Sequence, residues 1–336
     1  MTLRNVLITA ASRRVPLVRA FQEALRLTGG GIVVVTDVNP LSPAVYAADR
    51  AFRVVMADDP RYLDDILEIA RAEHVGLIIP TIDDELSIFA RGAARFAGHG
   101  IRVAVSPEAT TALCHDKYET CRTLAARGIA AAQSFLPGHL PDRPAFPLFV
   151  KPRCGRGGVG AYAIRGERDL AFFLDYVDDP VIQEYLDGPE FTIDMLCDFS
   201  GRPLSIVPRE RVVIRAGVID RGRTVKNAAL IDLGLKCAAA LLFYGAVNIQ
   251  CRMVADRPVV FEINPRFSGG IPLTIEAGAD FPRMLLQLAT GRVVAPAIGS
   301  FRDEVWMTSY EESIFMDGAR VGLERHWPVA VVGEVA

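Results

Sequence analysis

Through its first hundred residues the chain alternates continuous apolar stretches of strand length with amphipathic stretches of helical length, and few folds accept that pattern. Residues 5–9, 32–36, 77–80 and 101–105 are the apolar runs, and 32–36 is rich in valine. Residues 15–27, 61–73 and 84–96 carry apolar side chains at helical spacing; in the second of these, Leu63, Ile66, Leu67 and Ala70 share one side. A strand that is apolar on both faces needs cover on both, which crossover helices provide, so the sheet is expected to be parallel. Ligands of such sheets collect at the carboxyl ends of the strands, here residues 9–14, 37–40 and 80–85.

The pattern changes after residue 106. Ser106-Pro107-Glu108 reads as a helix start, with a serine cap and a proline in the first turn. Asp116-Lys117-Tyr118-Glu119 resembles a capping box opening a helix that runs through Arg127, with Gly128 to close it. Residues 137–147 hold four prolines and one glycine and read as a connecting loop. From 148 to 264 strand patterns dominate, broken by helical stretches near 167–176 and 229–243, so an α+β region follows the α/β one. The 336 residues leave room for two or three domains, and 51% hydrophobic content supplies their cores. A net charge of −3 gives no overall electrostatic case for nucleic acid. The cysteines, at 114, 121, 154, 197, 237 and 251, form no CxxC pair and no cysteine–histidine cluster. That speaks against a zinc site or a disulfide framework and fits a reducing cytosol. No apolar run reaches bilayer-spanning length, and the N-terminus lacks a long apolar signal-peptide core. A soluble cytoplasmic protein with no membrane partner is expected.

The candidate chemistry centres on Phe261-Glu262-Ile263-Asn264-Pro265-Arg266. On a strand, Glu262 and Asn264 point to one face. A carboxylate beside an amide oxygen makes a hard-oxygen site, of the kind Mg²⁺ prefers when it also holds nucleotide phosphates. Arg266 follows, where it can meet phosphate oxygens. The plainer alternative is a solvated strand end with an ordinary Asn-Pro turn. Gln250, on the preceding strand pattern, lies opposite Glu262 if the loop between them is residues 255–257; a two-residue loop shifts the register and turns it to the other face. Gly155-Arg156-Gly157-Gly158-Val159-Gly160 matches GxGxxG, but strand-like residues flank it on both sides and helix signals begin only at Glu167. A dinucleotide-binding turn needs a helix there, so a nicotinamide-dependent oxidoreductase is disfavoured. The loop reads instead as a hairpin flap whose backbone N–H groups can cover phosphates, or as a plain flexible turn. Lys151 ends the strand entering that loop. Lys117 sits in a first helical turn, where a cation opposes the helix dipole and a ligand anion would compensate. Both are candidate phosphate contacts, although a solvated surface lysine is the commoner case. Val181-Ile182-Gln183-Glu184-Tyr185-Leu186 leads into Asp187-Gly188-Pro189-Glu190, a strand and acid-flanked turn suited to a nucleoside or to no ligand at all. Arg209, Arg211, Arg215 and Lys226 form a basic run, either a clamp for an anionic substrate or a mixed-charge surface with Glu210 and Asp220.

Taken in order, Lys117, Lys151, the glycine loop, residues 183–190, Gln250 and residues 262–266 resemble the ATP-grasp superfamily, most closely its carbamoyl-phosphate-synthetase-like branch. The resemblance extends over nearly the whole chain, to about residue 317. It implies a Rossmann-like, parallel-sheet pre-ATP-grasp domain at 1–106 and then a two-lobed ATP-grasp fold. The small lobe with its flap would occupy 107–187, and the metal- and substrate-binding lobe 188–336. Lys117 and Lys151 would contact ATP phosphates, Gly157 and Gly158 would form the flap, Glu184, Tyr185 and Leu186 would flank adenine, and Glu190 would meet the ribose. Gln250, Glu262 and Asn264 would hold two Mg²⁺ ions, or Mn²⁺ in their place, with Glu262 bridging. Arg266, with Lys151, would stabilise the transferring phosphoryl group. The implied reaction phosphorylates a carboxylate to an acyl phosphate, which an amine, thiol or other nucleophile captures, releasing ADP and phosphate. The partners are then a small-molecule carboxylate and a nucleophile, and a homodimer is compatible with the chain. Four features depart from the family. The length is too short for a carbamoyl phosphate synthetase, no glutamine amidotransferase part is visible, and the 9–14 loop lacks the glycine of many relatives. Residues 327–336 have no clear counterpart. The alternative reading is a catalytically weak ATP-binding protein that serves regulation or assembly.

Overall fold

The computed structural model describes residues 5–155, 158–215 and 217–316. They form two compact units. The first contains the described residues up to Glu108, Asp280–Pro296 and those from Tyr310 onward; the second contains Ala109–Ala279 and Ala297–Ser309. Among the described residues, no helix is long and apolar enough to cross a membrane.

The first unit is built on a five-stranded parallel sheet of β1 (Asn5–Ile8), β2 (Val33–Asp37), β3 (Arg50–Arg53), β4 (Val75–Ile79) and β5 (Arg102–Val103), in the order β3-β2-β1-β4-β5. Helices α1 (Val15–Thr28), α2 (Pro43–Ala47), α3 (Tyr62–Ala72) and α4 (Asp83–Gly98) join the strands. Every residue of β2 is buried, as its continuous apolar sequence requires. Leu7, Val34, Ile66, Ile78, Phe89 and Phe96 share one core. The parallel α/β expectation holds. The sequence pattern did not foresee α2 and β3. α2 is only five residues long, too short to show a helical period, and β3 is an edge strand whose Arg50 and Arg53 stay half-buried around Ala51 and Phe52.

The loops after β1 and β4 are joined by a buried carboxyl group. Glu85 accepts from Thr9 Oγ1 at 2.8 Å, Tyr62 OH at 2.5 Å and the Thr81 backbone N–H at 2.8 Å. Burial is the largest influence and pushes its pKa up, against these hydrogen bonds. A carboxyl whose folded pKa lies above its unfolded value stabilises fully below the unfolded value, and loses that contribution as pH rises through the folded one. Urea denaturation should therefore show this unit more stable at about pH 5 than at about pH 8. Glu85→Gln should flatten that difference, and Glu85→Ala, which strands three donors, should lower stability by about 3 kcal/mol.

The second unit carries two antiparallel sheets. Helices α5 (Glu108–His115) and α6 (Lys117–Ala126) lead into a four-stranded sheet ordered β6-β9-β7-β8, from β6 (Ser134–Phe135), β7 (Leu148–Pro152), β8 (Tyr162–Ile164) and β9 (Pro180–Glu184), with α7 (Glu167–Tyr176) between β8 and β9. A six-stranded sheet follows, ordered β14-β13-β10-β11-β12-β15. Its strands are β10 (Glu190–Cys197), β11 (Pro203–Arg215), β12 (Val218–Thr224), β13 (Gly245–Val254), β14 (Arg257–Asn264) and β15 (Trp306–Thr308). Helix α8 (Ala228–Ala240) precedes β13, and α9 (Ile271–Glu276) follows β14. Side-chain alternation splits the large sheet into two faces. Ile193, Met195, Ile206, Ile249 and Ile263 pack with Leu230, Leu233 and Cys237 of α8 in the core. Glu190, Thr192, Asp194, Arg209, Asn248, Gln250, Glu262 and Asn264 occupy the alternate positions, so this face is polar. The last helix, α10 (Phe281–Ala289), packs against α1 within the first unit, although it lies in the 188–336 stretch grouped with the metal-binding lobe on sequence grounds.

Candidate active site

The β13–β14 hairpin brings the expected metal ligands together by a route the sequence did not suggest. Its turn has two residues, Ala255 and Asp256, both left-handed at φ 44° and 61°, as a tight hairpin turn of this length requires. Counted from that turn alone, Gln250 would face Phe261 and Glu262 would fall on the opposite face. A bulge at Phe261 restores the register, and Gln250 pairs with Glu262 and Asn248 with Asn264. The loop is the two-residue alternative and not the three residues 255–257 on which the Gln250–Glu262 pairing was conditioned, yet the bulge produces that pairing.

Asn248 fixes this end of the site. Its Nδ2 donates to the carbonyls of Asn264 and Arg266, each at 3.2 Å, and its Oδ1 accepts from Asn264 Nδ2 at 3.4 Å. With its nitrogen held there, Asn264 offers its Oδ1 to Arg266 Nη2 at 3.3 Å. The amide oxygen therefore lies on the side of the arginine. One carboxylate and two amides are a hard-oxygen set that suits Mg²⁺ shared with nucleotide phosphates. Among the described residues, no group of three or more His, Cys, Asp or Glu is arranged for a metal.

Two lysines and the glycine loop stand on the small sheet's side. β7 and β8 pair antiparallel, so the loop between them is a hairpin, as its flanking strand patterns suggested. Gly158 and Gly160 adopt φ of 68° and 72°, which their lack of a Cβ permits. Arg156 and Gly157 lie outside the described residues. Lys117 is 7% exposed and donates to the Gly155 carbonyl at 2.8 Å; Lys151 is 6% exposed and donates to the Phe261 carbonyl at 3.3 Å. Neither is a solvated surface lysine. Burial pushes the Lys151 ammonium below the ordinary lysine value, Glu262 draws it back up, and Lys117 adds to the fall. Asp116 caps α6 by accepting from the Glu119 N–H at 3.1 Å, and Arg153 donates to it from Nε and Nη2 at 2.9 and 2.6 Å. Burial is the largest single influence and raises the Asp116 carboxyl, but the Arg153 bonds and charge together with the backbone N–H groups of Glu119 and Tyr118 hold the group low. Glu119 turns to Arg122 instead of completing a capping box. These bonds tie the helix carrying Lys117 to the strand carrying Lys151.

At the end of β9, Glu184 accepts from the Gln133 N–H at 2.8 Å, and just past it Leu186 packs with Cys121 and Ala132 and Tyr185 is partly exposed. Glu190 is gripped by two arginines, Arg211 Nη1 at 2.6 Å and Arg252 Nη2 at 2.7 Å. Arg211 also reaches Gln250 Oε1 at 3.4 Å and so bridges the expected ribose carboxylate and a metal ligand. Burial lowers its pKa, with Glu190 opposing. The basic run does not converge as the expected clamp. Arg209 is buried against Asp194, Arg211 goes to Glu190, Arg215 meets Asp220 at 3.5 Å, and Lys226 lies over the Phe301 ring. The three arginines of β11 turn to acids near them, and Lys226, beyond β12, turns to an aromatic ring. Sequence reading missed Asn248, Asp194 and Arg252. A period-two reading of β10 and β13 would have placed all three on the face of Gln250.

Comparison with known proteins agrees with this architecture. A family model described as ATP-grasp in the biosynthetic pathway with Ter operon matches residues 177–312, and a PylC-like N-terminal domain matches residues 6–104. The chain is 25% identical over 289 residues to the large chain of carbamoyl phosphate synthase from Thermus thermophilus, covering 78% of this chain and 27% of that protein. It therefore spans about a quarter of that relative's length. Among solved structures, N5-carboxyaminoimidazole synthetase from Staphylococcus aureus complexed with ADP aligns at TM-score 0.69 and 17% identity, over 87% of this chain and 78% of that one. The biotin carboxylase domain of 2-oxoglutarate carboxylase from Hydrogenobacter thermophilus, in complex with MgADP and bicarbonate, aligns at 0.69 and 17%, over 90% and 73%. The L-amino acid ligase of Bacillus licheniformis aligns at 0.67 and 19%, over 89% and 77%. At these identities the three structures show the fold alone, an N-terminal parallel-sheet domain followed by antiparallel-sheet lobes.

Proposed function

We propose that this ATP-grasp protein is a ligase that uses ATP to phosphorylate a small-molecule carboxylate, and that an amine, thiol or other nucleophile then displaces phosphate from the acyl phosphate. The observation that carries this reading is the in-register set of Gln250, Glu262 and Asn264, with Arg266 bonded to Asn264 and two buried lysines in the same unit. Lys117 and Lys151 neutralise the phosphates, and the glycine hairpin covers them. Residues 184–186 receive adenine, and Glu190 shares its oxygens with the ribose hydroxyls. Gln250, Glu262 and Asn264 would hold the Mg²⁺, or Mn²⁺ in its place. When bound, the metal neutralises charge on the phosphate oxygens. Arg266 meets the phosphoryl group in flight. Such a transfer relies on position and charge more than on a general base, so no catalytic histidine is needed.

One solved neighbour holds bicarbonate together with MgADP and another is named an L-amino acid ligase, which supports a small carboxylate here. One of them is a dimer, and a homodimer is proposed on that likeness. The test is ADP release with Mg²⁺ across a panel of amino acids and small carboxylates, each with and without an amine. ADP formation stimulated by one carboxylate supports the ligase. Tight ATP binding with no turnover under any pair supports a regulatory ATP-binding protein, and NAD binding without ATP binding refutes both.

A further inference from the structure

We propose that the buried pair of Asp194 and Arg209 is a positioning device for Arg266, acting through the segment that carries it. The inference rests on the phosphoryl-transfer role given to Arg266 above. Asp194 and Arg209 are each 1% exposed and share two bonds, Nε to Oδ2 at 2.7 Å and Nη2 to Oδ1 at 3.1 Å. Removing two charges from water is costly, and apolar residues of similar volume often serve stability as well or better. What else the pair touches explains its presence. Arg209 Nη2 also donates to Ser268 Oγ at 2.9 Å, and Thr274 Oγ1 donates to Asp194 Oδ2 at 2.5 Å. Ser268 and Thr274 lie just past Arg266, on the stretch that turns from β14 into α9. Asn248 holds the near end of that stretch through the carbonyls of Asn264 and Arg266. Asn248 and Asp194 are register partners. A buried polar row across β13, β10 and β11 therefore grips the chain before, at and after Arg266.

Glycine completes the fit. A Cβ on Gly270 would stand 2.4 Å from Arg209 Nη1 and 2.5 Å from Ile219 Cγ2, and one on Gly269 would stand 2.8 Å from Val218 Cγ1. Position 270 therefore accepts only a residue without a Cβ beside the guanidinium. Arg209 Nη1 has no hydrogen-bond partner among the described residues. An unpaired buried donor is a cost that a pair kept for stability alone would have shed. Lys117 and Lys151 seat the nucleotide, and the Asp194–Arg209 row seats the arginine that acts on it. A displacement of about 1 Å in such a group is enough to lower turnover about 100-fold.

Ser268→Ala removes one tie without stranding a buried charge, and Ser268→Thr keeps the hydroxyl. The measurement is calorimetric binding of Mg–ADP and of Mg–ADP–aluminium fluoride, which mimics the phosphoryl group in flight, to the full chain, both variants and Arg266→Ala. Mg–ADP affinity is expected to stay within about twofold throughout, while the fluoride complex weakens about tenfold or more in Ser268→Ala and Arg266→Ala and is restored in Ser268→Thr. Wild-type affinity of Ser268→Ala for the fluoride complex overturns the inference. So do parallel losses of both complexes, or equal losses in Ser268→Ala and Ser268→Thr. A wild-type chain that binds no Mg–ADP refutes the nucleotide reading and the positioning role with it, a result distinct from insensitivity of Ser268→Ala alone.

Discussion

Glu262→Ala is expected to abolish carboxylate-stimulated ADP formation, by at least about 10³-fold, while the chain stays folded. Glu262 is the one carboxylate among the three proposed metal ligands, and Gln250 and Asn264 flank it on the same sheet face. Its loss leaves two neutral amides, which cannot offset the charge of a divalent ion. It also leaves Lys151 without the carboxylate that draws its pKa upward. Glu262→Gln, which keeps the shape and removes the charge, should fall nearly as far. Initial-rate ADP assays at saturating ATP, with circular dichroism as the control for folding, check both variants. A Glu262→Ala protein retaining more than about a tenth of wild-type turnover contradicts the metal assignment.

Arg266→Ala is expected to lower kcat by about 10²–10³-fold with little change in Mg–ADP affinity. Arg266 bonds to Asn264 Oδ1 and so lies beside the proposed metal ligands, the position from which its proposed phosphoryl-transfer role follows. Lys151→Ala should behave differently and weaken nucleotide binding itself, because the ammonium is buried beside the Phe261 carbonyl. Separate measurement of kcat and of ADP affinity tells the two roles apart. Equal losses of both quantities in Arg266→Ala would place that side chain on the ground-state phosphates instead.

Much of this was legible in the sequence because it depends on local pattern. The continuous apolar runs gave the parallel sheet, and the strand-like flanks of the glycine loop ruled out a dinucleotide turn in favour of a hairpin. Asn264 and Glu262 declared a shared face by their two-residue spacing. Other features depend on contacts between strands far apart in sequence. The Phe261 bulge sets the Gln250–Glu262 pairing, yet nothing in Val260-Phe261-Glu262 marks a bulge, so the register was inferred through the wrong loop length. Arg209 looked like the other members of the basic run, and only the sheet shows it buried against Asp194 from β10. Its partner Ser268 lies on a loop that sequence alone cannot bring to β11. β3, with arginines at both ends, lacked the apolar run on which strand assignment rested.

The central claim is that ATP activates a carboxylate as an acyl phosphate, and hydroxylamine trapping tests it most directly. Wild-type protein, Mg–ATP and a panel of carboxylates are incubated with hydroxylamine as the nucleophile, and hydroxamate is measured against ADP. The account predicts hydroxamate formed one for one with ADP for the true substrate, and neither product with Glu262→Ala. ADP formed without hydroxamate across the whole panel, from a chain that binds Mg–ATP, would contradict it.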